Sequence, residues 1–155
     1  MDATLTGTGG TYYVMAQLAL RGYHASCTFG NAPFVDILVA ASDGSKSASF
    51  QVKTATEARR WRGHGDLREV SELQWTLGRR AAKHARTGLF YVFVDLKSLA
   101  SGEIPDVYII PSAWIREHCA RWIDDPSVKW VRFHVLPGKV ETFKNNWDQI
   151  AQALS

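Results

Sequence analysis

Residues 35–53 read VDILVAASDGSKSASFQVK, and this stretch carries the clearest structural signal in the chain. Asp43-Gly44, a dipeptide that favours a two-residue type I′ turn between β-strands, lies between the runs 35–41 and 47–53. We therefore predict a β-hairpin whose strands cover residues 35–41 and 47–53.

The register of this hairpin brings three polar side chains together. With Asp43 and Gly44 as the loop residues, Asp36 lies opposite Gln51, and the Cβ atoms of such a pair are about 4.5–5.5 Å apart. Lys53 shares the face of Gln51 because side chains alternate along a strand. On these residues alone, the alternative is a half-exposed hairpin with a surface Asp36–Lys53 ion pair worth about 0–1 kcal/mol. The opposite face is wholly apolar and carries Val35, Ile37, Val39, Ala48, Phe50 and Val52.

The rest of the chain predicts an α/β domain over residues 1–155, with a mixed β-sheet flanked by helices. Two features are clearest: the apolar run LFYVFVDL at 89–96, typical of a buried strand, and the polar stretch 54–70, which is typical of a long loop. The other predicted elements are helices at 8–22, 71–85, 112–123 and 143–154, strands at 24–29, 107–110 and 128–135, and a turn at 30–33.

The amino-acid composition is that of an ordinary globular protein. Hydrophobic residues make up 46% of the chain and charged residues 21%, which excludes wholesale disorder. No apolar run approaches the ~18 residues that a membrane span requires. The N-terminal residues show no secretory signal, and Cys27 and Cys119 form no disulfide framework, so we expect a cytoplasmic protein without a membrane partner.

A cluster of cations suggests a nucleic-acid interface. The formal net charge of +3 is compatible with nucleic-acid binding without being diagnostic of it. Arg59, Arg60 and Arg62 surround Trp61, and further cations lie at 79–86. One interpretation is a solvated face. The other is a surface that binds nucleic acid, with Trp61 stacked on an unpaired base rather than packed over the site.

The three polar residues of the hairpin resemble the signature of a known family. Asp36 in one strand and Gln51-Val52-Lys53 in the next resemble the Asp…(Glu/Gln)-x-Lys signature of the PD-(D/E)XK nuclease superfamily, in the Gln form of Mrr-type restriction endonucleases. The segments GTGGTYYVMAQLALRGY, GNAPFVDILV and LFYVFVDL are also similar to small bacterial Holliday-junction-resolvase-like proteins. The resemblance covers about residues 7–96 and implies a restriction-endonuclease-like fold.

The resemblance implies hydrolysis of a phosphodiester bond in DNA with Mg²⁺ or Mn²⁺. Asp36, the side-chain oxygen of Gln51 and the backbone carbonyl of Val52 would bind the ion, since such ions prefer oxygen ligands. Lys53 would position the attacking water or neutralise charge on the phosphate. The nucleic acid would contact Arg59, Arg60, Trp61 and Arg62, and a homodimer is among the assemblies that the resemblance allows.

One departure from the family pattern supports an alternative. Many relatives carry a glutamate on the first helix, at the position of Thr11 here, so only Asp36 supplies a carboxylate at the matched positions. Glu57, Asp66 and Glu69 are the candidates to compensate. The alternative is a catalytically degenerate nuclease fold that binds nucleic acid or a protein partner.

Overall fold

The computed structural model describes residues 2–28, 34–98, 101–128 and 131–154. Within these ranges no helix is long and apolar enough to cross a membrane. The elements follow one another in this order: α1 Ala3–Ala19, β1 His24–Cys27, β2 Ile37–Ala40, β3 Ser47–Ala55, β4 Arg59–Arg62, a 3₁₀ turn Gly65–Leu67, β5 Glu69–Thr76, α2 Arg79–Lys83, β6 Leu89–Asp95, β7 Asp106–Pro111, α3 Ser112–Ile123, β8 Arg132–Val135, α4 Pro137–Val140, a second 3₁₀ turn Glu141–Phe143, and α5 Asp148–Leu154.

The strands of the described ranges form two sheets. The larger sheet has the order β1-β2-β3-β6-β7, with β3 and β6 parallel and the other neighbours antiparallel. It is therefore a mixed sheet, and the predicted α/β class with flanking helices is confirmed. The smaller sheet, β4-β5-β8, is antiparallel throughout and was not foreseen from the sequence.

Each face of the larger sheet carries its own apolar layer. Val14 and Leu18 of α1, with Ile150 of α5, pack on the face formed by Phe50 and Val92. The opposite layer joins the sheet to α3 and the smaller sheet through Tyr91, Phe93, Ile115, Trp75 and Phe133. Because side chains alternate along β3, its residues divide between these two faces.

The predicted hairpin register is confirmed, and the predicted turn type is wrong. The β2–β3 ladder runs from the pair Ile37–Phe50 to the pair Ala40–Ser47, as the Asp43-Gly44 turn required. A type I′ turn needs positive φ at both central residues, and only Gly44 (φ 72°) meets this condition. The Asp43 carboxylate instead accepts hydrogen bonds from the amide and hydroxyl of Ser45, which holds a wider turn.

The first helix begins earlier than predicted. The Asp2 carboxylate accepts hydrogen bonds from the amides of Thr4 and Leu5, at 2.7 and 3.2 Å, and so caps α1 at Ala3. Gly22, with φ 82°, ends the helical segment in the left-handed conformation that favours glycine.

The predictions for residues 54–85 are wrong. The expected loop contains β4, and the expected helix is mostly β5, with only α2 remaining helical. Leu73 and Trp75 are buried while Thr76 is exposed, the alternation of a half-buried strand. Hydrogen bonds to β4 on one side and β8 on the other outweigh the local helix propensity of this segment.

The remaining elements agree more closely. Strand β6 is buried at every position, and α3 has the predicted bounds. The predicted strands at 24–29, 107–110 and 128–135 correspond to β1, β7 and β8. The predicted terminal helix at 143–154 is shortened to α5 with a 3₁₀ turn before it. The predicted turn at 30–33 lies outside the described residues.

Candidate active site and nucleic-acid interface

Asp36 lies at the entry to β2, and its carboxylate is bound to β3. The Asp36 amide donates to the Phe50 carbonyl at 2.8 Å, and Asp36 Oδ2 accepts from the Val52 amide at 2.7 Å. Since the ladder begins at Ile37, Asp36 lies one residue outside it and is not paired with Gln51 as an ordinary strand neighbour. The Asp36 carboxylate accepts the hydrogen bond that a neighbouring strand would otherwise accept from the Val52 amide. This bond holds the Asp36 side chain beside Gln51.

The Val52 carbonyl faces the same side of β3. In a strand, the N–H and C=O of one residue point toward the same neighbouring strand. Because the Val52 N–H points to Asp36, the Val52 carbonyl points to that side too. The two predicted oxygen donors of Asp36 and Val52 therefore lie at one end of the β2–β3 ladder.

The Gln51 side chain is buried with an unsatisfied oxygen atom. Its side chain lies on the face opposite Phe50 and Val52 and is only 8% exposed. The Oε1 atom has no hydrogen-bond partner within the described part of the chain. A buried acceptor without a partner costs about 1–3 kcal/mol, so a cation or a donor at this position would stabilise the folded state.

Lys53 occupies the same face, two residues further along β3. Burial lowers the pKa of its ammonium group from the ordinary value, and the nearby Asp36 carboxylate acts in the opposite direction. The Asp36 carboxylate therefore acts on the charge of Lys53, although the two residues form no ion pair in the described part of the chain. The structure thus brings together the side chains of Asp36, Gln51 and Lys53, which the sequence singled out.

These oxygen atoms are ligands of the type that binds a divalent ion, and together they carry little negative charge. Carboxylate, amide and backbone oxygens are the ligands that Mg²⁺ and Mn²⁺ prefer, and the unsatisfied Gln51 Oε1 is a free donor of this type. Asp36 is the one carboxylate of the three residues. Thr11 is neutral, and its hydroxyl donates to the Gly7 carbonyl at 3.0 Å. Nowhere in the described ranges do three or more His, Cys, Asp or Glu side chains form a metal-binding group.

The acidic residues expected to compensate have other positions in the fold. Glu57 Oε1 binds Arg59 at 2.6 Å, and Glu69 Oε1 binds Arg62 at 2.6 Å. Asp66 lies in the exposed 3₁₀ turn that follows β4. Two of the three carboxylates are therefore neutralised by arginines of the predicted interface.

Arg59 is the arginine most strongly paired with carboxylates. Its guanidinium binds Glu57 at 2.6 Å and Glu103 at 3.1 Å, with Asp95 at 3.8 Å. Hydrogen bonds to Glu57 and then to Glu103 raise the pKa of Arg59 well above its ordinary value, and its side chain is 17% exposed. This pairing leaves Arg59 with little charge to offer to a phosphate group.

Trp61 and Arg62 lie on the exposed part of β4. Trp61 is 42% exposed, with the guanidinium carbons of Arg59 and Arg68 at 5.4 and 4.6 Å from its ring centroid. Arg62 pairs with Glu69 in a largely exposed ion pair. Stacking of Trp61 on a base stays a prediction.

Arg60 is the member of this group that lies against β3. Its Nε donates to Gln74 Oε1 at 2.8 Å. Arg60 and Arg132 line a polar cavity of about 300 Å³ together with Thr54 and Ala55, the two residues that follow Lys53. The structure thus places Arg60 at one end of the candidate site.

Two further basic residues near the site have only a weak sequence signal. Arg86 Nη2 donates to Ser49 Oγ at 3.0 Å, and Ser49 shares the face of Gln51. His84 stacks on Phe34, which precedes Asp36 by two residues, with 4.3 Å between the ring centroids. Both belong to the basic group at 79–86, whose composition was visible but whose position beside β3 depends on the packing of β6.

The fold of this chain is similar to that of a solved structure. The chain folds like a bacterial homing endonuclease. The similarity to that protein, I-Ssp6803I, has a TM-score of 0.60 and covers 97% of this chain and 92% of the other, at 13% sequence identity. At this identity the likeness concerns the fold. No family model matches the sequence, and no curated protein matches it either.

Proposed function

We propose that this protein is a metal-dependent nuclease of the PD-(D/E)XK type that hydrolyses phosphodiester bonds in DNA. The observation that carries the proposal is the convergence of Asp36, the unsatisfied Gln51 and the desolvated Lys53 at one end of the β2–β3 ladder. The fold shared with a protein named as a homing endonuclease supports it.

Asp36, Gln51 and Val52 would hold a Mg²⁺ or Mn²⁺ ion. When bound, such an ion lowers the pKa of a coordinated water and stabilises negative charge on the phosphate. The Val52 amide orients the Asp36 carboxylate before any ligand arrives, which reduces the ordering that binding requires. Gln51 Oε1 is already desolvated, so no protein hydrogen bond has to break when it becomes a ligand.

Lys53 is suited to handling a proton or neutralising the phosphate. Its lowered pKa means that it holds its proton less tightly than a solvated lysine, which favours proton transfer nearer to neutral pH. In its charged form the ammonium group would stabilise negative charge as it develops on the phosphate. The Asp36 carboxylate favours this charged form.

The single carboxylate of the site supports a second candidate function. A catalytically degenerate protein of the same fold would bind nucleic acid or a protein partner without cleaving DNA. In the described part of the chain, the neutral Thr11 and the absence of a three-residue acidic or histidine group favour this candidate.

Cleavage assays with an isosteric variant separate the two. We would incubate the intact chain with duplex, single-stranded and branched DNA, and with RNA, in Mn²⁺, Mg²⁺ or EDTA. Asp36→Asn keeps an acceptor for the Val52 amide and removes the charge, so cleavage should disappear while the fold survives. Asp43→Asn, in the turn of the same hairpin, is the matched control and should cleave like the parent protein.

Metal binding has a readout that is independent of cleavage. Millimolar Mn²⁺ should raise the melting temperature of the parent and of Asp43→Asn, because the ion binds the folded state, and should leave Asp36→Asn unchanged. Equal cleavage by Asp36→Asn and the parent would refute the assignment of the site. Nucleic-acid binding with neither cleavage nor a Mn²⁺ shift would support the degenerate candidate.

A further inference from the structure

We infer that a track of arginines along β3 binds the phosphate backbone of a nucleic-acid strand on both sides of the site. Arg86 forms one end, beside Ser49, and Arg60 with Arg132 forms the other, beside Ala55. The inference rests on the proposed function, since it places the phosphate to be cleaved between these ends.

Arg86 has a fixed backbone and an exposed guanidinium. Its amide donates to Ser112 Oγ at 3.0 Å, and its carbonyl accepts from the same hydroxyl at 2.9 Å. Ser112 itself is only 1% exposed, so this anchor is rigid. The Arg86 side chain then reaches Ser49, on the face that carries Gln51. A charge held this way loses little conformational freedom when it binds a phosphate.

The opposite end of the track is a polar cavity of about 300 Å³. Arg60 enters it from β4, oriented by its hydrogen bond to Gln74 at 2.8 Å. Arg132 enters from β8 and is exposed to solvent. Thr54 and Ala55, directly after Lys53, also line this cavity, so it continues the site along β3.

The arginines of the track differ from their neighbours in how they are paired. Arg59 and Arg62 each form ion pairs with glutamates. For Arg60, Arg86 and Arg132, no such pair to a carboxylate occurs among the residues that the structure describes. Their positive charge is therefore available to a phosphate, and guanidinium groups suit phosphate oxygens through paired hydrogen bonds.

The length of the track matches a short stretch of nucleic acid. From Ser49 to Ala55, β3 extends about 20 Å at the ~3.3 Å rise per residue of a strand. Charges on one strand of duplex DNA repeat every ~3.4 Å along the helix axis, so a track parallel to that axis would span about six nucleotides. Gln51 and Lys53 lie in the middle of this span, where the phosphate to be cleaved would be placed.

The test measures how DNA affinity depends on salt, in EDTA so that cleavage plays no part. Each phosphate contact contributes about −0.9 to the slope of log K against log salt for duplex DNA. Arg86→Gln should reduce the slope by about one unit, and Arg60→Gln combined with Arg132→Gln by about two units. Arg86→Lys should keep the slope of the parent, because it keeps the charge.

Arg21→Gln is the matched control. Arg21 lies just after α1, on the other face of the larger sheet, where it is bonded to Gln17. Its loss should leave the slope unchanged. An unchanged slope in the Arg86 and Arg60/Arg132 variants, an equal loss in the Arg21 variant, or no binding by the parent protein would each overturn the track.

These outcomes are distinct from failure of the proposed function. Slopes that fall as expected, in a protein that does not cleave DNA with Mn²⁺, would leave the track standing and refute only the nuclease. Cleavage by a protein whose slopes do not respond to the variants would refute only the track.

Discussion

Replacing Gly10 with alanine should force α1 away from β3 beside the candidate site. A Cβ at this buried position would lie 1.9 Å from Thr54 Oγ1 and 2.8 Å from Thr54 Cβ. Rotation of the Thr54 side chain moves the hydroxyl and leaves Cβ in place, so the contact persists in every rotamer. Thr54 follows Lys53 directly, and its side chain lies on the α1 face of β3, so the strain arises on the side of the strand opposite Lys53.

The magnitude follows from two opposing effects. Overpacking a close contact costs about 1–3 kcal/mol. Alanine gains up to about 1 kcal/mol over glycine within a helix. A Cβ added at Gly9, the preceding residue of α1, would have no atom of another element within 4 Å, so Gly9→Ala shows the propensity gain alone. The two variants should therefore differ in free energy of unfolding by about 1–3 kcal/mol, with Gly9→Ala the more stable.

Thermal unfolding followed by circular dichroism checks this prediction. For a protein of this length, 1 kcal/mol shifts the melting temperature by about 2–4 °C, so the two variants should differ by about 2–12 °C. Thr54→Ala removes two of the three closest atoms and should recover part of the loss in the double variant with Gly10→Ala. If Gly10→Ala has the same melting temperature as Gly9→Ala, the close packing of α1 on β3 is refuted.

Three further predictions concern the site and its surroundings. Lys53→Met should stabilise the fold at pH 7, because it removes an ammonium group whose charged form is disfavoured by burial. Since the folded-state pKa of Lys53 is lowered, the unfolded parent binds more protons than the folded parent between that pKa and the ordinary value of ~10.4. The parent should therefore gain stability as the pH rises through this window, and the advantage of the variant should shrink, as measured by urea unfolding across pH. Gln51→Met should stabilise the fold by about 1–3 kcal/mol, since it removes an unsatisfied buried oxygen, and should abolish cleavage; a less stable variant would show that Gln51 is satisfied in solution. Arg59→Gln should destabilise the fold by about 1.5–3 kcal/mol, because Glu57 and Glu103 lose their charged partner. Arg62→Gln should cost less than about 1 kcal/mol, since its ion pair with Glu69 is largely exposed. The salt dependence of DNA binding should change in neither variant.

The elements with local signals could be predicted from the amino-acid sequence alone. Asp43 and Gly44 as the loop residues were sufficient to predict the register of the β2–β3 hairpin, and a shift of one residue would turn its apolar face to solvent. The uninterrupted apolar run predicted β6, and α3 has the bounds predicted from its own residues. Since Asp36, Gln51 and Lys53 all belong to the hairpin, the core of the candidate site could be predicted together with it.

Tertiary packing sets which charges are available and which segments join the second sheet. Residues 59–62 and 69–76 carry little strand signal of their own. They become β4 and β5 because they pair with each other, and because β8, distant in the sequence, pairs with the other edge of β5. Arg59 is neutralised by Glu103, while Arg86 reaches Ser49 across the fold. Contacts between residues so far apart in the chain leave no periodic trace in the sequence. They arise when burial of the two apolar layers brings the elements together, and that packing assigns each polar side chain its partner.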